Sequence, residues 1–146
     1  MHPPRTILVA TDFSDCAERA LDYAVSFADT VGAKIYLLNV IGVPTLGLPE
    51  LGVALTTTMM ESTVRTHHAE LDRLAGRRPG ANIEPMLRTG DAREVIIDVA
   101  RDVHADLIAM GTHGRRGVRR ALIGSIAEGV VRAAPCPVLT VREQKA

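Results

Sequence analysis

Five short, nearly unbroken apolar runs alternate with segments whose apolar residues recur at helical spacing, and this alternation leaves few folds open to the chain. The runs are Arg5 to Ala10, Lys34 to Val40, Ile83 to about Leu87, Asp106 to Met110 and Pro137 to Val141. Strands this short and this apolar are buried on both faces, the mark of a parallel sheet covered by helices on each side. Asp15 with Glu18 reads as a capping-box pair opening a first helix, whose apolar face is Ala17, Ala20, Leu21, Ala24, Ala28 and Val31 and which Gly32 stops. A Gly/Pro-punctuated stretch from Ile41 to Gly52 precedes a second helix from about Val53 to Ala75, ended by Gly76; the Arg77 to Asn82 turn leads on to the third strand. Asp91 and Glu94 open a third helix carrying Val95, Ile96, Val99 and Val103, and a fourth runs from about Ser125 to Ala133 before Pro135 breaks it. The expected fold is α/β, a doubly wound five-stranded parallel sheet of the Rossmann-like or flavodoxin-like kind, in one domain spanning 1–146. With 146 residues, 47% of them apolar, such a core needs no metal or disulfide staple.

Sheets of this class bind ligands outside the carboxyl ends of their strands, where strand order reverses, here between the first and fourth strands. After the first strand comes Ala10-Thr11-Asp12, which delivers a hydroxyl and a carboxylate to that edge. After the fourth come Gly111 and Gly114, then nine residues, then Gly124-Ser125 at the head of a helix. Glycines let backbone N–H groups approach an anion, and the helix N-terminus adds unpaired donors and a positive dipole end, so the pattern points to a phosphate. It arises by chance in a chain of this length with a likelihood on the order of one per cent. Ordinary turn glycines are the alternative.

Seventeen basic and seventeen acidic residues cancel, which removes the bulk attraction to nucleic acid or an anionic membrane. Stacking aromatics are scarce, so nucleic acid is not an expected partner. No apolar run suits a signal peptide or a membrane span, and the cytoplasm is the default compartment. Cys16 and Cys136 belong to no CxxC or zinc pattern. The lysine-bearing P-loop is missing, and Leu87-Arg88-Thr89 supplies no aspartate for a phosphoryl-accepting receiver. Thr11-Asp12-Phe13 lacks the glycine turn of a dehydrogenase, and the absence of tryptophan disfavours a flavin.

The opening ILVATDFSD, the LLNV of the second strand and the ending LIAMGTHGRRGVRRALIGSIAEGVVRAAPCPVLTV resemble the universal stress protein family, in its ATP-binding subgroup, over essentially the whole chain. The resemblance implies a fold of the adenine nucleotide alpha hydrolase type and a regulatory, stress-response role. It implies that Asp12 lies near the ribose and phosphates and that Val40 offers backbone hydrogen bonds to the adenine edge. Met110 and Gly111 would flank the nucleoside and Gly114, Gly124 and Ser125 would wrap the phosphates, with Ala10, Thr11, Thr112, His113, Arg115 and Ile126 completing the nucleotide-binding set, Thr11 and Thr112 at its periphery. ATP, or AMP or ADP, with Mg2+ or Mn2+ is the implied cofactor, Asp12 meeting the metal indirectly through phosphates or water.

Duller roles stand beside these. Asp12 or Ser125 serves equally as a helix cap, though the crevice favours a ligand for Asp12. Met110 is by type a core residue. Arg115, Arg116, Arg119 and Arg120 either screen a polyphosphate or form a solvated loop. His113 reads as an exposed loop residue, and the adjacent His67 and His68 as surface residues without the spacing of a metal pair. Three functions remain: a nucleotide-binding regulator, a slow metal-dependent ATPase using Asp12, and an interaction module with a vestigial cleft. A bulky residue at Gly124 is expected to occupy the phosphate position. The last strand is expected at a sheet edge, where two copies pair about a two-fold axis into a homodimer that Leu139→Pro disrupts. Leu46, Leu48 and Leu51 either add contacts there or fold over the nucleotide.

Overall fold

A computed structural model describes residues 2–42, 49–113 and 123–143, with the backbone alone for residues 49–57. Nine elements alternate along the chain: β1 (Thr6–Ala10), α1 (Asp15–Val31), β2 (Lys34–Ile41), α2 (Pro49–Gly76), β3 (Ile83–Thr89), α3 (Ala92–Asp102), β4 (Leu107–Gly111), α4 (Ser125–Ala133) and β5 (Val138–Val141). All strand pairs are parallel, in the order β3-β2-β1-β4-β5. The order reverses between β1 and β4, as the sequence leads one to expect.

Period-two alternation along β1 builds the two halves of the core. Ile7 and Val9 face one side with Leu21, Ala24 and Ala28 of α1 and Leu71 and Leu74 of α2. Leu8 and Ala10 face the other with Ile96 and Val99 of α3 and Ala127 and Val130 of α4. Both faces of the central strands are therefore dry, which is why no polar alternation shows in their sequence.

Several boundaries differ from the sequence expectation for identifiable reasons. Ser14, not Asp15, caps α1, its side chain accepting from the Ala17 N–H, so Asp15 and Glu18 lie inside the first turn. Gly32 ends α1 in the left-handed conformation (φ 72°), donating its N–H to the Ala28 carbonyl. Asp91 caps α3 by accepting from the Glu94 N–H, half of the expected box. Helix α2 starts at Pro49 and takes in Gly52, four residues earlier than the punctuation suggests; proline is tolerated in a first turn, where its missing N–H has no partner to lose. Strand β3 runs on to Thr89 because its ladder with β2 continues through Val40↔Arg88 and Ile41↔Thr89. Pro85 fits there because β3 is an edge strand. Asp106 falls outside β4, its carboxylate taken up at the base of the sheet by the N–H groups of Arg5 (2.9 Å) and Thr6 (3.0 Å). Among the described residues no helix is long and apolar enough to cross a membrane.

Candidate functional site

The carboxyl ends of β1 and β4 carry the sequence-singled residues to one edge, beside the start of α4. Ala10 ends β1 in the core. Thr11 follows, buried: its N–H donates to the Leu38 carbonyl (2.8 Å) and its Oγ1 accepts from the Phe13 N–H (3.0 Å). Asp12 is exposed, and its Oδ1 accepts from the Ser14 N–H at 3.0 Å. This is a local turn just outside α1; the cap itself is Ser14, so the capping alternative for Asp12 is overturned. Val40 lies half-buried near the end of β2.

On the β4 side, Met110 is 6% exposed and packed into the core between the sheet and α3/α4, the role its residue type suggests. Gly111 is a packing requirement: a Cβ there would stand 2.8 Å from Cys16 Sγ and 3.1 Å from the Cys16 backbone carbon. Cys16 in turn donates its thiol to the Val141 carbonyl (2.9 Å), which also accepts the Thr112 N–H (2.9 Å), so α1, β4 and β5 are knotted at this edge. Thr112 is buried, its hydroxyl 3.1 Å from His113 Nδ1; His113 is half-buried, not the exposed loop residue expected. Gly114 and Arg115, with Arg116, Arg119 and Arg120, lie outside the described residues, as do Leu46 and Leu48 and the side chain of Leu51.

Gly124 is the N-cap of α4, which leaves Ser125 in the first helical position, exposed, and overturns its reading as the cap. Gly124 donates its N–H to the Thr112 carbonyl at 2.6 Å. Its φ of −71° is open to any residue, so conformation is not what requires glycine. The requirement is steric, because a Cβ would stand 2.8 Å from that same carbonyl oxygen. A glycine cap supplies no side-chain acceptor of its own, so among the described residues the leading N–H groups at the positive end of the α4 dipole have no cap from the N-cap side chain. Ile126 is 46% exposed in the same turn. Among the described residues no three or more His, Cys, Asp or Glu side chains gather as a metal site.

Three residues that the sequence reading left out of the site stand directly behind it. Asn39 of β2 donates from Nδ2 to the Thr11 carbonyl (2.8 Å) and its Oδ1 meets His67 Nδ1 of α2 (2.8 Å). The His67 ring meets Phe13 edge-on, centroids 5.1 Å apart at 84°. His67 is thus half-buried, against the surface role expected, while His68 is exposed as expected. Two signals existed: Asn39 is the polar residue in an apolar strand, and His67 precedes the buried Leu71 and Leu74 at helical spacing. Nothing in the sequence announces that Phe13 takes a left-handed backbone (φ 67°).

At the sheet edge, the carbonyls of Pro137 and Val141 point to β4, accepting from Ile108 and Thr112 N–H groups. By strand alternation Leu139 turns its N–H to β4 as well, while Val138 and Thr140 turn theirs outward. A proline at Leu139 would therefore break the ladder within the chain, and the outward edge is tested at Thr140.

Sequence and structure comparisons converge on one family. The family model described as "Universal stress protein family" matches residues 4–142. A universal stress protein of Methanocaldococcus jannaschii is 33% identical over 143 residues, covering 97% of this chain and 84% of its own. Among solved structures, a universal stress protein in complex with cAMP superposes with a TM-score of 0.63 at 26% identity, over 96% of this chain and 98% of its own. The universal stress protein from Archaeoglobus fulgidus in complex with dAMP gives 0.59 at 26% identity, over 96% and 99%.

Proposed function

The chain belongs to the universal stress protein family, and from that premise we propose that it binds an adenine nucleotide, ATP foremost, in the crevice between β1 and β4. The observation that carries this reading is the start of α4: a glycine-capped helix N-terminus tied to the end of β4 by the Gly124–Thr112 hydrogen bond, at the switch point of the sheet. Such a terminus suits phosphate oxygens by its donors and its dipole. The exposed Asp12 carboxylate across the switch point suits a divalent cation carried with the phosphates. Related proteins solved with cAMP and dAMP support the adenine nucleotide class.

Mg2+ or Mn2+, when bound, would offset the phosphate charge. Asp12 would hold it through water, since no side-chain cluster among the described residues forms a metal cage. The protein is then a cytoplasmic regulator whose nucleotide-bound state is its signal, with hydrolysis slow at most. The outer edge of β5, where Leu139 is 38% exposed, supports a homodimer formed by the same strand from two copies. Mass spectrometry of small molecules released on denaturing the purified protein, with calorimetric titration of ATP and Mg2+, tests the nucleotide reading. Adenine nucleotide in the extract or a saturable heat is expected; absence of both overturns it.

A further inference from the structure

We propose that Asn39 and His67 are positioning residues for the nucleotide crevice, holding Phe13 in its left-handed backbone and thereby fixing the peptide that carries Asp12. The inference rests on the nucleotide reading above and adds to it what controls the site's geometry. A bulky residue at φ 67° is sterically disfavoured, and such conformations persist only where their surroundings over-determine them. Here the surroundings form a closed ring of contacts. The Phe13 N–H donates to Thr11 Oγ1 and the Phe13 ring packs edge-on against His67. His67 reaches Asn39 Oδ1, and Asn39 Nδ2 returns to the Thr11 carbonyl.

The direction of each bond follows from the chemistry. A carbonyl only accepts, so the Asn39 NH2 must face Thr11; its Oδ1 is then the acceptor left for the imidazole, and His67 donates through Nδ1. Asn39 is 3% exposed, and two of its polar atoms are engaged in fixed directions, a geometry that an apolar side chain of the same size would not impose. Asp12 stands between the two pinned residues: the carbonyl before it is held by Asn39 and the residue after it by His67. The backbone on either side of Asp12 is therefore held by side chains from β2 and α2, Asn39 within the LLNV run and His67 outside the runs that carry the family resemblance, while the carboxylate itself accepts from the Ser14 N–H at 3.0 Å. Binding groups placed by such a supporting layer lose affinity when the layer is loosened, even though the binding groups remain.

A double-mutant cycle read out as ATP affinity in the presence of Mg2+ tests the inference. His67→Ala is expected to weaken binding by roughly two- to tenfold, the span that an aromatic pair is worth. His67→Phe, which keeps a ring against Phe13, recovers part of that loss, and so does His67→Gln, which keeps an N–H for Asn39. Phe13→Gly accepts φ 67° without a partner ring, so adding His67→Ala to it is expected to change affinity little. Without ligand, the amide resonances of Phe13 and Asp12 shift in His67→Ala and Asn39→Ala while that of Glu84 on the far edge stays in place. Unchanged affinity in folded His67→Ala and Asn39→Ala, or additive losses in the cycle, overturns the inference and leaves the nucleotide reading intact. If His67→Ala does not fold, the same comparison is made with His67→Gln and Asn39→Ala. No ATP binding by the unmodified protein overturns the inference together with the reading it rests on.

Discussion

Gly124→Ala is a one-carbon change whose effect follows from one distance. The added Cβ would stand 2.8 Å from the Thr112 carbonyl oxygen, several tenths of an ångström inside ordinary contact, and the atom it meets is backbone and does not swing away. Relief requires α4 to move away from the end of β4, which stretches the 2.6 Å hydrogen bond from Gly124 N–H to that same oxygen. Overpacking of this kind costs about 1–3 kcal/mol and the weakened hydrogen bond about 0.5–1.5 kcal/mol. Against this, alanine reduces the freedom of the unfolded chain by about 0.4–1 kcal/mol, and φ −71° is no strain for it. The net expectation is a loss of about 0.5–4 kcal/mol, read as a lower urea midpoint at constant m-value and a Tm lower by roughly 2–13 °C. On the proposed nucleotide reading, ATP affinity is expected to fall by roughly tenfold or more, because the displaced N–H groups at the start of α4 would be charge-assisted donors to phosphate. The steric cause thus precedes any occupation of the phosphate position by the side chain. An alanine variant with the unmodified midpoint and affinity would refute both the close approach and its consequence.

Asp12→Ala should weaken ATP binding more with Mg2+ present than without it, measured by calorimetry in both conditions; equal losses would place the carboxylate on the ribose instead. Turnover of ATP should stay far below about one per second in a steady-state phosphate-release assay, because the sequence carries no lysine-bearing P-loop. Asp106 is held below the ordinary carboxylate range by the Arg5 and Thr6 N–H groups it accepts. Its lowered folded-state value means that its stabilisation is present above the unfolded value of about 4 and fades as pH falls through the folded one. Asp106→Asn should therefore flatten the acid limb of a stability–pH curve, and an unchanged limb would contradict the assignment. Thr140→Pro removes an outward N–H of β5 and should convert a dimer to monomer in light scattering with little change in the β4–β5 ladder; a monomeric unmodified protein at micromolar concentration would refute the edge pairing.

Sequence alone determined the order of elements, the parallel sheet and its switch point, because burial on both faces writes itself into strands such as Ile7 to Ala10, and helical period writes itself into α1 and α3. It also picked out Gly111, Gly124 and Asp12, since glycine and carboxylate at strand ends are visible without coordinates. What those glycines are for was decided only in three dimensions. Gly111 makes room for Cys16, which lies 95 positions earlier in the chain, and Gly124 makes room for the Thr112 carbonyl across the glycine-rich loop. Caps shifted by a single residue, from Asp15 to Ser14 and from Ser125 to Gly124, because capping is fixed by where the chain turns and not by which polar residue stands nearby. The layer behind Asp12 was hidden for the same reason. Asn39 and His67 are 28 residues apart, on a strand and a helix; the β1–β2 pairing brings Asn39 to Thr11, and packing of α2 onto the sheet brings His67 to Phe13 and makes a left-handed phenylalanine tenable.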